Sequence, residues 1–402
     1  MINKKLKVGN VPNLRFPEFT EEWETKKLGE VMHFKVTNSF SRENLNYEVG
    51  TVKNIHYGDI HTKFQTLFDT TKEVVPFINE EINLDRISDE NYCKEGDVIF
   101  ADASEDLNDV GKSIEIINVN SEKLLSGLHT LLGRPKSSIF HLGFNGYLFK
   151  SNSVRTQIQK ESQGSKVLSI NTGRISKIEL SFPSVNEQER ITILLSLMDE
   201  RIQTQNKIIE QLETLIKGLS EKIYSQKIRF KKFTEKWEVK KLGEISTITT
   251  GSSNREDSIL NGEYTFFDRS QDIRTSSRFL FDKEAVIVPG EGQEFIPKYF
   301  IGKFDLHQRT YAIFDFRGIN GKYLYYHLLN DDKYLQSKAV GSTVKSLRLP
   351  MFQSMPIKSP CLDEQTTIAN FLSVIETKIQ TEKNILDKYH CQKQYLLQSL
   401  FI

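Results

Sequence analysis

The chain has 402 residues, a net charge of +1 and 27% charged side chains. It is long enough for two to three domains with buried cores, and its mean hydropathy of −0.43 together with the lack of any run of 18 apolar residues argues against a membrane span. The near-neutral balance excludes a uniformly basic nucleic-acid coat but leaves local patches open, because charges act within about one Debye length.

The opening Met1–Leu6 lacks the apolar stretch of a signal peptide, so a cytoplasmic location is expected. Cys93, Cys361 and Cys391 lie far apart with no paired spacing, so neither a disulfide frame nor a zinc knuckle is expected, and buried inert thiols are the reading. His56 and His61, five apart, do not share a helical face, and no HExxH occurs.

The phrase RFPEFTEEWETKKLGEV at Arg15–Val31 returns as RFKKFTEKWEVKKLGEI at Arg229–Ile245, with 12 of 17 positions identical. Self-similarity at this period marks one architectural unit written twice. Gly164-Ser165-Lys166-Val167 is echoed by Gly341-Ser342-Thr343-Val344, and Glu187-Gln188 by Glu364-Gln365, both at an offset of 177. The opening phrase repeats at 214, so the stretch between the signals is 37 residues (214 minus 177) shorter in the second copy. A kept frame with divergent contents is expected if the frame is structural and the contents specify something.

Between the frames, residues from about 31 to 163 mix short β-rich runs such as Gly96–Ala101 with Gly, Asn and Ser punctuation and a helical stretch near Val154–Glu161. Residues from about 246 to 340 read alike, with Ala285–Gly290 as the matching strand and turn, and Gly143–Leu148 finds a counterpart in Gly318–Leu324. Each variable region predicts a compact α+β domain of the same fold. Charge is segregated: Glu80–Asp109 holds eleven acids against two bases, whereas Ser225–Glu244 carries seven Lys/Arg against three Glu and Asp332–Lys358 five against one Asp.

After Glu187 the positions Ile191, Leu195, Met198, Ile202, Gln205, Ile209, Leu212, Ile216, Leu219 and Ile223 follow a 4,3,4,3 spacing. Ile368, Leu372, Ile375, Ile379, Glu382, Leu386, Tyr389, Lys393, Leu396 and Leu400 repeat it. These are heptad seams. Pro183 and Pro360 break the chain just before, and Glu187 and Glu364 sit in the first turn, where the helix dipole favours a carboxylate. A helix from Glu187 to about Tyr224 is roughly 57 Å long at 1.5 Å per residue. If the copies are related by a pseudo-twofold, the two helices lie antiparallel and zip their seams into a coiled-coil spacer. Gln205, Glu382 and Lys393 are polar seam positions that cost stability and fix register or pairing, or, for Lys393, are a tolerated defect at a frayed end. Two similar domains on such a rod span on the order of 15 base pairs of duplex, and unlike variable regions predict an asymmetric, two-part target.

Trp23 and Trp237 hold the same frame position and are expected to anchor cores against Phe19 and Phe233. Lys26-Lys27 and Lys240-Lys241 also lie in the frame and carry no sequence information; phosphate or partner contact and plain solvation both fit them. Catalytic signatures are missing: there is no Asn/Asp-Pro-Pro-Tyr/Phe motif, Gly111-Lys112-Ser113 lacks the first glycine of a P-loop and has Asp106 in its place, and Asp102, Glu105, Asp106 and Asp109 read as a solvated acidic turn without EF-hand spacing, with acceptance from a cytosine amino group by one of them as the alternative.

The doubled FTExWExKKLGE phrase, the Gly-Ser-x-Val turns and the two Pro-x-x-x-Glu-Gln helix starts resemble the specificity subunit of type I restriction-modification systems over essentially the whole chain. The resemblance implies an α+β chain of two similar target-recognition domains and two antiparallel spacer helices, bounded as 1–185, 186–226, 227–362 and 363–402. It implies a non-catalytic reader of an asymmetric bipartite site in double-stranded DNA. It further implies two methyltransferase subunits and restriction/translocase subunits as partners, no metal or cofactor on this chain, and S-adenosylmethionine, ATP and Mg in those partners. Base readers are then expected in the variable parts, on side chains with forked or paired donors: Lys35, Arg42, Lys53, Asn54, Lys63 and His129 in the first domain, and Arg255, Arg269, Arg274, Arg278, Gln293, Gln308 and Arg309 in the second. Ser126–Thr130 and Leu306–Thr310 occupy matching places. Lys166, Lys338, Lys345 and Arg348, near the Gly-Ser turns, are expected on phosphates. The competing reading is a coiled-coil protein adaptor with duplicated protein-binding domains, to which the acidic Glu80–Asp109 stretch lends support.

Overall fold

The duplicated phrase folds the same way twice in the computed structural model, which describes residues 9–402; the reading of Met1–Leu6 lies outside the described residues. Glu24–Lys27 is a strand that runs antiparallel to Glu179–Phe182, and Glu238–Lys241 pairs in the same manner with Pro356–Ser359. A one-turn helix follows each, Leu28–Val31 and Leu242–Ile245, where Leu28 and Leu242 are fully buried. The Glu of the repeated Leu-Gly-Glu closes that turn: Glu30 Oε2 accepts from the Lys27 amide at 2.8 Å and Glu244 Oε2 from the Lys241 amide at 3.0 Å.

The chain divides into two compact units, Met1–Thr204 with Leu386–Ile402, and Gln205–Ile385. In the second, a six-stranded sheet runs in the order Thr247–Thr250, Thr310–Phe314, Phe281–Pro289, Lys298–Leu306, Tyr264–Phe267, Arg274–Ser276. The nine-residue strand Lys298–Leu306 pairs antiparallel with Phe281–Pro289 and parallel with Tyr264–Phe267. In the first unit the same job is split. Ser113–Asn118 pairs antiparallel with Val98–Ala101, and Lys123–Ser126 pairs parallel with Val52–Ile55. Between them lies a turn at Val119–Glu122 in which Asn120 and Ser121 adopt φ of 49° and 57°. The result is two sheets, of five and four strands, where the second unit has one. Forty-five residues (56–100) lie between Ile55 and Ala101, against 21 (268–288) between their register equivalents Phe267 and Pro289, so this one insertion supplies 24 (45 minus 21) of the 37 extra residues.

The apolar runs read as strands are central and buried on both faces. Val98 and Phe100 face a core with Phe144, Tyr147, Val154 and Ile158, whereas Ile99 and Ala101 face another with Ile60, Phe68 and Ile116. Val286 and Val288 likewise pack on Tyr323, Leu324 and Tyr326, and Ala285 and Ile287 on Phe267 and Phe304. Strands covered on both sides lose the polar alternation, which is why these segments read as continuous apolar runs. The helix expected near Val154–Glu161 spans Asn152–Glu161.

The long helices are Val185–Tyr224 and Leu362–Ser399, so each starts two residues before the predicted Glu. Their Glu-Gln pairs are clamps. Arg15 holds Glu187 through Nε (2.8 Å) and Nη2 (2.7 Å), and Arg229 holds Glu364 with the same two atoms at the same distances. Gln188 donates to the Pro183 and Ile139 carbonyls and accepts from the His141 amide; Gln365 donates to Pro360 and Gly318 and accepts from Asn320. The frame residues therefore tie the opening phrase, the helix start and the loop ahead of a short helix into one knot per unit.

Most seam positions are buried where the heptad spacing places them, and Leu212, Ile216, Leu219, Ile375, Leu386, Tyr389 and Lys393 are half-buried. In the first unit Ile191, Leu195, Met198 and Ile202 share a core with Leu396, Leu400 and Phe401; in the second, Ile223 shares one with Ile368 and Leu372, with Ile216 packed against it. Rising numbers on one helix meet falling numbers on the other, so the segments are antiparallel within each unit. Lys393 is no frayed defect: its ammonium pairs with Asp199, which also accepts from the Tyr147 hydroxyl at 2.9 Å.

Two expectations need correction. Trp23 is buried and Trp237 half-buried, but the rings against them are Phe401 for the first and Tyr224 and Tyr323 for the second, not Phe19 or Phe233. The segment between each Phe and its Trp runs through a bend rather than a helix, so the four-residue spacing does not bring the rings together, and residues at or near helix ends supply the partners instead. Of the three thiols only Cys93 is buried; Cys361 and Cys391 are exposed, at the start and on the outer side of the second long helix. Among the described residues no helix is long and apolar enough to cross a membrane, and no group of three or more His, Cys, Asp or Glu could hold a metal ion.

Candidate nucleic-acid interface

Strand Lys298–Leu306 ends in a tight turn, His307–Arg309, before Thr310–Phe314 begins. The His307 amide donates to the Phe267 carbonyl and the Thr310 amide to the His307 carbonyl. Burial, the larger influence, lowers the His307 pKa, so the ring is neutral and its Nδ1 accepts from the Arg309 amide at 3.0 Å. The turn is thus fixed from beneath, and it projects Gln308 and Arg309 outward. Arg309 Nη1 lies 2.7 and 2.9 Å from the two oxygens of Glu291, and Arg269 Nη1 approaches the same carboxylate at 3.3 Å. Glu291 is 17% exposed and the two arginines 57% and 52%, so the acid is the anchored member.

Around this point most second-domain candidates converge. The Gln308 amide donates to the Ser253 carbonyl and its Nε2 to Asn254 Oδ1, placing the exposed Arg255 turn beside it. Arg278 donates to Ser253 Oγ at 2.8 Å. Arg274 Nε contacts Asp268 at 3.0 Å; burial alone would raise the Asp268 carboxyl, but Ser270 and Arg274 together hold it below its ordinary value. Glu291-Gly292 pairs as a short strand with Lys345-Ser346, and Gln336 links the Gln293 carbonyl (2.7 Å) to Lys345 Nζ (3.2 Å). Arg348 is exposed one residue past Leu347, whose amide donates to the Gly290 carbonyl. Lys338, also exposed, lies over the Tyr334 ring.

In the first unit the equivalent turn is Gly127–His129. The Gly127 amide donates to Ile55, as His307 does to Phe267, and Thr130 opens the next strand as Thr310 does. This register makes His129 the counterpart of Arg309. The Asp102 amide donates to the His129 carbonyl as the Gly290 amide does to that of Arg309. His129, at φ 55°, places Nδ1 3.3 Å from Asp102 and its ring 5.3 Å from that of Tyr57. Tyr57 opens a short helix capped by His56, whose Nδ1 accepts from the Gly58 amide. Arg42 and Lys63 join this cluster by sharing the buried Asp59, at 2.7 and 3.0 Å. Burial pushes the Asp59 carboxyl up, but those two cations outweigh it and hold it low.

Three first-domain candidates are placed elsewhere. Lys35 is paired with Glu90 at 2.7 Å, and Lys53, largely buried over the Phe77 ring, with Glu122 at 2.6 Å. Asn54 is fully buried, accepting from Asn38 Nδ2 at 2.7 Å, and does not present its amide at the surface. Its place on a two-sided strand, invisible in a four-residue run, is the reason. Lys166 is exposed in the Gly164–Val167 turn. The acids Asp59 and Glu291 and the ring of Tyr57 were missed, and Asp102, expected in a solvated acidic turn, is half-buried behind His129 instead; the one available signal was the position of Glu291 directly after Pro289-Gly290, the turn that ends the central strand.

The profile of the family described as the type I restriction modification DNA specificity domain matches residues 20–214 and 234–388. The chain therefore belongs to that family, and it carries the domain twice. It is similar to the type I restriction enzyme EcoDI specificity subunit of Escherichia coli, at 30% identity over 152 residues, 38% of this chain and 34% of that one. The match thus spans about a third of that relative's length. With the type I restriction enzyme MjaVIII specificity subunit of Methanocaldococcus jannaschii it shares 24% identity over 291 residues, 63% of this chain and 68% of that one. The fold resembles the type I restriction-modification system S subunit from M. genitalium, with a TM-score of 0.61, 15% identity, and coverage of 98% of this chain and 99% of the other.

Proposed function

We propose that this chain is the DNA-reading specificity subunit of a type I restriction-modification complex, acting in the cytoplasm. One duplicated frame carries two turns of the same register that bear unlike residues, His129 and Arg309, each beside a basic cluster; that observation carries the reading. Each variable region recognises one half of an asymmetric site, and the paired long helices, of 40 and 38 residues or roughly 60 Å at 1.5 Å per residue, set the unread gap. The boundaries are 1–185 and 227–362 for the recognition domains and 186–226 and 363–402 for the spacer helices. On this reading chemistry resides in two methyltransferase subunits, which supply adenine methylation from S-adenosylmethionine, and in ATP- and Mg-dependent restriction/translocase subunits.

Lys166, Lys338, Lys345 and Arg348 contact phosphates, which fix register without carrying sequence information. Arg255, Arg269, Arg274, Arg278, Gln293, Gln308 and Arg309 in one domain, with Arg42, Lys63 and His129 in the other, supply the base-edge donors. Duplex binding measured across salt concentration tests this. Affinity falls steeply and linearly in log–log form if phosphates are engaged; a flat dependence favours a protein adaptor instead.

A further inference from the structure

We infer that the last residue of the turn ahead of strand Thr310–Phe314 in the second unit and Thr130–Pro135 in the first, Arg309 and His129 respectively, is the side chain that sets base preference, and that Arg309 takes a guanine with Glu291 as its positioning residue. The inference rests on the DNA-reading assignment above and goes beyond it by naming one residue and one base.

Three observations converge on it. First, positions that hold structure keep their identity in both copies: Arg15 and Arg229, Glu187 and Glu364, Gln188 and Gln365 in the frame, and Thr130 and Thr310 at the start of the strand after the turn. The turn position keeps its backbone hydrogen bonds but changes its side chain, as expected for a specificity position. Second, Arg309 gains little for folding from its carboxylate, since ion pairs in reach of water are screened and weak, yet Glu291 holds both Arg309 and Arg269. An anchored acid that orients two half-exposed guanidiniums restricts where their forks point. Third, the turn beneath Arg309 is rigid, through His307 Nδ1 and the Phe267 carbonyl, and Lys345 stands one strand away to meet the backbone. A planar fork of this kind matches O6 and N7 of guanine in the major groove, the commonest bidentate base contact of arginine. His129, with Asp102 behind it, occupies the same post with a different donor set, so the two halves differ at the corresponding base.

The test is selection of bound duplexes from a randomised pool by the full chain assembled with its methyltransferase subunits. The parent is expected to enrich a two-part motif with a guanine in the half read by the second unit. Arg309→Ala loses that guanine preference by roughly tenfold to a hundredfold and leaves the other half unchanged. Arg309→Lys keeps the charge but not the fork, so it loses the preference while retaining non-specific affinity, which also guards against misfolding. Glu291→Gln weakens the guanine preference and raises non-specific affinity, a combination that simple loss of structure does not give, and Glu291→Asp restores part of the preference. Retention of every motif position by Arg309→Ala overturns the inference alone. A parent that enriches no motif overturns the DNA-reading assignment itself.

Discussion

Gln205 and Glu382 lie 177 residues apart, the offset of the repeat, and they bond to each other: Gln205 Nε2 donates to the Glu382 carbonyl at 3.1 Å and to its carboxylate. A residue can meet its own counterpart only at the centre of an antiparallel pair, so this contact marks the midpoint of the two helices. Lys378, then Gln205, hold the Glu382 carboxyl below the usual carboxylate range. The pair is also mixed, amide with carboxylate, where identical copies would bring like with like.

Removing Gln205 leaves Glu382 with Lys378 alone in an otherwise apolar seam. Gln205→Leu is expected to lower the melting temperature, and Gln205→Leu with Glu382→Leu to recover at least the parent value, because a polar seam pair is replaced by apolar packing. Thermal melts of the three proteins check this; a double variant less stable than the single one contradicts it.

The Arg15–Glu187 pair joins the opening phrase to the helix start with the carboxylate 1% exposed. Arg15→Ala leaves that charge without its fork and should cost about 3–5 kcal/mol, with Arg229→Ala comparable in the second unit. Urea unfolding reads both. Equal stability to the parent would mean that the clamp is dispensable.

Gly164 and Gly341 adopt φ of 138° and 121°, and a Cβ at either would run into the carbonyl oxygen three residues on, Val167 or Val344. Alanine at either position is expected to cost about 1–3 kcal/mol. If these turns also seat phosphate-contacting lysines, duplex affinity drops further than stability accounts for. Unfolding and binding measured on the same variants separate the two effects.

The frame was legible because it is written twice. Repetition exposed Glu187 and Glu364, the Gly-Ser turns and the seams, and heptad spacing placed Ile191, Leu195 and Ile202 in a core where they are found. What joins these parts was not legible: Arg15 and Glu187 are 172 positions apart, and Arg42 and Asp59 meet only because a short helix brings Asp59 around. Asn54 looked as available as Arg42, yet a strand covered on both faces buries one while a one-turn 3-10 helix, Arg42–Asn44, exposes the other. Asp59 and Glu291 went unread, and Asp102 was read only as a solvated acid, because an anchoring acid has no local pattern of its own. The turn register that equates His129 with Arg309 was readable, since threonine follows in both copies.

His327 is buried against Tyr224, and its Nε2 accepts from the Lys358 amide at 3.4 Å. Burial first, then Lys358, depress its pKa to about 4. A depressed folded-state pKa means that the neutral ring's contribution is complete above the unfolded value near 6.5 and is lost as pH falls toward 4, by at most roughly 3 kcal/mol. The second unit should therefore soften between pH 6.5 and 4. Melting curves of parent and His327→Gln across that window should converge as pH falls; parallel curves would assign the acid sensitivity to other groups.

The central claim is that two unlike readers are mounted on one repeated frame. Its most direct measurement exchanges residues 246–340 for the corresponding segment of a related chain and maps the sites modified by the assembled complex. A change confined to one half of the recognised sequence, with the other half and the gap kept, is the predicted result. A change in both halves, or in neither, would contradict it.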